Sequence, residues 1–136
     1  MKKGMLRACA LLSLLALLLS GCGSKLPEGF AQADVEAAAK QTVALVNAGD
    51  YDGLFASLRG DVQELIKKED IETAFRSVLD KAGAFVDYKK ITLAGTKGAS
   101  GEEYAVAAVA CTYENATVTY TLSYDADYAL VGLYIK

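Results

Sequence analysis

The spacing of apolar side chains along this chain changes twice, and each change predicts a different kind of segment. Residues 8–20 carry no charge and are mostly leucine in the middle. After a short polar stretch the apolar and small positions Val35, Ala38, Ala39, Thr42, Leu45 and Val46 recur at i, i+3, i+4 and i+7, which is one face of a helix. Asp34 is placed to cap its start and Asn47-Ala48-Gly49 to stop it, because glycine tolerates a left-handed turn. A short helix follows, with Tyr51, Leu54, Phe55 and Leu58 inward. Asp61-Val62-Gln63-Glu64 has capping-box spacing with Asp as the cap and predicts one more turn through Lys67. A third main helix over residues 70–82 carries the stripe Ile71, Ala74, Phe75, Val78, Leu79 and Ala82, and Gly83 closes it.

Beyond Gly83 the period falls from about 3.6 to 2, the signature of strands. Strands are expected at residues 85–94, 102–113, 117–124 and 128–135, with residues 95–101 as a mobile turn. In the third strand Val118, Tyr120, Leu122 and Tyr124 face one way while Thr117, Thr119, Thr121 and Ser123 face the other, so one face is covered and one is wetter. Helices first and an antiparallel meander after them predict an α+β domain, its N-terminal helices packed on a curved four-stranded antiparallel sheet.

The first apolar run has another use. Thirteen residues would span roughly 20 Å as a helix, against a hydrocarbon core of about 30 Å, so a secretory leader is the better reading than a transmembrane helix. Lys2, Lys3 and Arg7 supply its positive start. Leu19-Ser20-Gly21-Cys22 resembles a bacterial lipobox: an aliphatic residue, two small ones, and the cysteine that becomes the mature N-terminus and takes a diacylglycerol on sulfur. This divides the chain into a signal peptide over 1–21, a lipidated Cys22 with a flexible tether over 22–32, and one α+β domain over 33–136. It places that domain on the extracytoplasmic side of the cell membrane, held by lipid.

Charge and composition narrow the chemistry. Three of the 14 basic residues lie in the leader, leaving 11 against 17 acidic ones, a net −6. Nucleic acid and anionic lipid select basic patches, so neither suits this domain's own surface. With Cys9 in the leader and Cys22 acylated, Cys111 is the remaining thiol, expected as a small buried hydrophobe. The chain has no histidine, which removes Ser-His-Asp and Cys-His constellations and the usual His-based metal sites. No metal and no cofactor are expected. Asp50-Tyr51-Asp52 and Asp125-Ala126-Asp127 lack the glycine and distal glutamate of an EF-hand loop and read as solvated turns.

Three phrases carry a family resemblance. Val46-Asn47-Ala48-Gly49-Asp50-Tyr51-Asp52 resembles the first-helix exit of cystatin-like, nuclear-transport-factor-2-like domains. Gly83-Ala84-Phe85 is similar to their approach to the sheet, and Leu130-Val131-Gly132-Leu133-Tyr134-Ile135 to their last strand. The pattern is closest to the bacterial lipoproteins of the domain-of-unknown-function 3887 family. The resemblance implies a conical domain with a cavity between the sheet's concave face and the helices, used by relatives for ligands, for isomerase or dehydratase chemistry, or as a dimer surface.

Tyr104, Tyr113, Tyr120 and Phe75 are the candidates to line that cavity. The expected function is non-enzymatic binding of a small apolar ligand or an envelope protein near the membrane, with a homodimer as one arrangement. Two alternatives are a small isomerase or hydratase and a folded spacer. The enzyme needs a carboxylate and a tyrosine in an apolar pocket, and Asp87 with Tyr88, or Tyr104, Tyr113 and Tyr120, are the residues from which such a pair would come.

Overall fold

A computed structural model of the protein describes residues 25–136. The leader, the lipobox and Cys22 lie outside the described residues. Among the described residues four helices precede four strands: α1 Gln32–Asn47, α2 Tyr51–Ser57, α3 Gly60–Gln63, α4 Lys68–Ala82, then β1 Phe85–Lys97, β2 Glu103–Tyr113, β3 Thr117–Tyr124 and β4 Leu130–Ile135. The strands form one antiparallel sheet in the order β1-β2-β3-β4. It is an α+β fold, with the helices laid on one face of a curled, unclosed sheet.

Why the sheet curls follows from its register. β1 slips against β2 between Phe85 and Asp87 and again between Tyr88 and Lys90, and β3 slips against β4 between Ser123 and Tyr124. Each slip is a bulge that bends its strand and sharpens the twist. The inward row of β2 (Ala105, Ala107, Val109, Cys111, Tyr113) and that of β3 (Val118, Tyr120, Leu122, Tyr124) are buried. Small alanines let α1 approach closely; its Val35, Ala39, Val43 and Val46 fill the hollow. α4 adds Ile71 and Phe75.

Several boundaries differ from expectation for physical reasons. α1 starts earlier, with Ala31 at its cap position and Asp34 inside the first turn, so Asp34 does not cap. The capping box at Asp61 does not form: Arg59 takes the cap position, Asp61 lies inside the first turn, and its oxygens accept from Arg59 at 2.8 Å and 3.0 Å and from the Val62 N–H at 3.0 Å. Strand β1 continues through Gly95, Thr96 and Lys97, which pair with Ala105, Tyr104 and Glu103; residues 95–97 are therefore strand and not turn. β4 begins at Leu130, two residues later than expected, because Tyr128 takes φ 63° in the preceding turn.

The segment expected to be a tether is docked from Lys25 onward. Leu26 and Phe30 are half-buried against the core, and the Phe30 ring meets Tyr128 edge-on at 5.8 Å. The Ala31 N–H donates to the Tyr128 hydroxyl at 3.1 Å. Gly95 is needed for this fit: a Cβ there would lie 2.8 Å from the Lys25 carbonyl oxygen and from the Pro27 ring.

Candidate functional site

The hollow between sheet and helices is filled by three tyrosines. The Tyr120 and Tyr113 hydroxyls meet at 2.6 Å, and Tyr113 donates onward to the Asn47 side-chain oxygen at 2.5 Å. Tyr124 shares a 2.7 Å hydroxyl contact with Thr42, and both lie within hydrogen-bonding distance of the Ala38 carbonyl. Phase-separating these phenols from water would be costly unless they were paired. Among the described residues every buried side-chain polar atom has a partner. Burial raises the pKa of Tyr113 and Tyr120 above the usual phenol value and pushes Tyr124 up to about 12. These hydroxyls therefore stay protonated and act as hydrogen-bonding struts.

The four residues expected to line a cavity thus divide. Phe75, Tyr113 and Tyr120 come together, with the Phe75 and Tyr120 ring centres 6.4 Å apart. They are packed, each no more than 4% exposed. Tyr104 stands apart at the β1–β2 turn, donating to Glu102 at 2.7 Å with the Arg59 guanidinium over its ring at 6.0 Å. Asp87 and Tyr88 form no pair in a pocket either. The Asp87 carboxylate accepts from the Tyr88 backbone N–H, and the Tyr88 hydroxyl reaches the Lys40 carbonyl.

Open apolar space lies elsewhere. A groove of about 300 Å³ runs between the α3–α4 region and β4, lined by Leu58, Val62, Ile66, Ile71, Phe75 and Leu133. Asp70 is the carboxylate on its wall. Ile66 on its wall is 40% exposed, and the next residue back, Leu65, is 86% exposed. The local cause is chain geometry. Leu58 leaves α2 in an extended conformation and bridges Leu130 in parallel, with the Arg59 N–H donating to the Leu130 carbonyl at 2.8 Å. That bridge sets the Val62–Ile66 stretch beside β4 without closing on it. The sequence marks this groove only faintly, through Val62 and Ile66 as apolar positions within an otherwise charged run.

A feature that no sequence pattern marks is the Arg59 hub. Its guanidinium donates to Asp61, to Glu102 at 2.8 Å and to Asp125 at 3.3 Å, tying the start of α3 to the β1–β2 and β3–β4 turns. These hydrogen bonds hold the Asp61 carboxyl below its usual range. Asp125 is 6% exposed and accepts from the Asp127 and Ala129 N–H groups at 2.9 Å, so it organises its turn instead of being solvated there. Asp50 caps α2 through the Gly53 N–H, and Asp52 pairs with Lys68. Among the described residues no cluster of three or more acidic or cysteine side chains is placed to hold a metal ion, and no helix is long and apolar enough to cross a membrane.

Comparison with known proteins gives a consistent picture. A family model described as "Protein of unknown function (DUF3887)" matches residues 39–133. The chain is similar to a protein from Ruminococcus gnavus ATCC 29149 whose structure was solved by NMR. The two share 27% sequence identity and a TM-score of 0.73 over 82% of this chain and 96% of that one. No curated protein matches.

Proposed function

For this chain, which belongs to the DUF3887 family of proteins of unknown function, we propose a role as a membrane-anchored envelope lipoprotein that binds a small apolar ligand. Cleavage before Cys22 and acylation of its sulfur hold the domain at the extracytoplasmic face of the cell membrane. One acyl chain anchors a protein only marginally, at about 0.8 kcal/mol per buried CH₂, whereas the two chains of a diacylglycerol hold it firmly.

The groove beside β4 carries the ligand-binding reading. Ligand sites are concave and mostly apolar, typically about 300–1,000 Å³, and this one is at the small end of that range. Binding is better supported than catalysis. The buried tyrosines turn to one another and to the Asn47 amide, which takes no proton, and tyrosine is not among the groove's lining residues. This reading departs from the cavity that the cystatin-like, nuclear-transport-factor-2-like resemblance implies, since the space under the concave face is packed and the groove lies beside β4.

The experiment has two arms. Intact mass of the full chain extracted from its own membranes is expected to show cleavage before Cys22 and an added diacylglycerol; a bare sulfur or a retained leader overturns the anchor. Titration with the neutral dye Nile red is expected to saturate at one site, and Val62→Glu is expected to weaken it at least about tenfold, or about 1.4 kcal/mol. Unchanged dye affinity in a folded Val62→Glu protein overturns the groove.

A further inference from the structure

The docked N-terminal segment fixes which way the domain faces. Resting on acylation at Cys22, we propose that the end of the sheet bearing the β1–β2 and β3–β4 turns is the face that this domain holds against the lipid surface. Only Gly23 and Ser24 separate Cys22 from Lys25. Three Cα–Cα steps reach at most about 11 Å even when fully extended. Lys25 itself is not free to wander, because its carbonyl and the Pro27 ring lie in the space that only Gly95 leaves open.

Two further contacts, both from Tyr128, hold the segment. Its ring packs against Phe30, and its hydroxyl accepts from the Ala31 N–H. Positive φ is uncommon for a bulky residue; Tyr128 adopts it at 63° in the β3–β4 turn. Gly95 pairs with Ala105 near the start of β2, which is paired in turn with Tyr124 at the end of β3. The anchor path and both turns therefore share one end of the sheet. A free coil of ten residues would average about 18 Å end to end and allow any orientation. Here only three Cα–Cα steps separate the acylated residue from docked Lys25.

Charge does not supply the orientation. The same end carries Glu28, Glu102, Glu103, Asp125 and Asp127 with Lys25 and Lys97, and Arg59 is already shared among three carboxylates. Such an end has no basic patch to draw it to anionic headgroups, so the geometry of the covalent anchor must do so and salt should leave it unchanged. The Leu58 bridge to Leu130 puts the start of the apolar groove near this end as well, within reach of a molecule dissolved in lipid.

The test uses the acylated full chain in vesicles containing nickel-chelating headgroups. Fluorophores are placed singly through Ser100→Cys, in the β1–β2 turn, or Ala116→Cys, in the β2–β3 turn at the opposite end; Cys111 is buried and does not compete. Quenching at position 100 is expected to exceed that at 116 several-fold, equally at low salt and at about 1 M, where the Debye length is about 3 Å. Inserting twelve Gly/Ser residues between Ser24 and Lys25, which adds about 19 Å of coil, is expected to bring the ratio close to one. Equal quenching in the parent protein, or a ratio abolished by salt, overturns the orientation. Intact mass of the same sample separates the two proposals: equal quenching with a diacylated Cys22 sinks only the orientation, and a bare Cys22 sinks both.

Discussion

Truncating Phe75 is the sharpest test of how α4 sits on the sheet. The side chain is 4% exposed, with its ring against Tyr120 on one side and the apolar groove on the other. Phe→Ala at a fully buried site costs about 3–5 kcal/mol, through lost transfer free energy and the cavity left behind. Aromatic pairs add about 0.5–1.5 kcal/mol beyond their area. The groove works in the opposite direction: the vacated space joins an existing opening instead of forming a sealed void. The expected loss is therefore near the lower end, about 3 kcal/mol. With a urea slope of about 1–3 kcal/mol/M for small proteins, the midpoint should fall by about 1–3 M.

Far-UV circular dichroism and tyrosine emission are suitable probes, since the chain has no tryptophan. Thr73→Ala, on the exposed side of the same helix, is the control and should stay within about 0.5 kcal/mol. A loss below about 1 kcal/mol for Phe75→Ala at unchanged slope would refute the packing of α4.

Two other measurements probe the core and the helix-to-sheet junction. Burial pushes the Cys111 thiol from 9.0 up to about 11, so the native state holds its proton after the unfolded chain has lost it. Stability is then full below pH 9 and declines as pH rises to 11, by up to about 3 kcal/mol at two pH units. Tyr124 extends the decline from pH 10 to about 12. Urea midpoints measured across this range should fall, and Cys111→Val should remove the part between 9 and 10, where the buried tyrosines do not yet contribute; a flat profile refutes the burial argument. Gly83 has φ 85° and ψ −151°, and a Cβ there would lie 3.0 Å from Glu114 Cβ and Asn115 Nδ2. Gly83→Ala should therefore cost about 1–3 kcal/mol in thermal or urea melts, and a neutral result refutes the strain.

The fold was legible because it rests on local periods. Val118, Tyr120, Leu122 and Tyr124 alternate so cleanly that their buried face follows from the sequence, and Ile71, Phe75 and Ala82 mark the helix that covers it. What stayed hidden depends on residues distant in the chain. Gly95 reads as a turn, yet its missing side chain makes room for Lys25 and Pro27, some seventy positions earlier. Leu26 and Phe30 look like part of a polar leash until Tyr128 is brought beside Phe30. The candidate site was displaced for the same reason. Tyr113 and Tyr120 satisfy each other and close the concave space, while the remaining opening is made by a four-residue helix meeting the last strand.

Both outer strands of the sheet are guarded, and this matters most where chains are crowded. On one side, Leu58 and Arg59 cover the first residue of β4. On the other, β1 is broken in register and carries Lys89 and Lys90, devices that discourage strand-to-strand pairing. Proteins confined to a surface meet far more often than the same number spread through a volume. A sheet with blunted margins can tolerate that crowding without stitching neighbouring copies into ribbons.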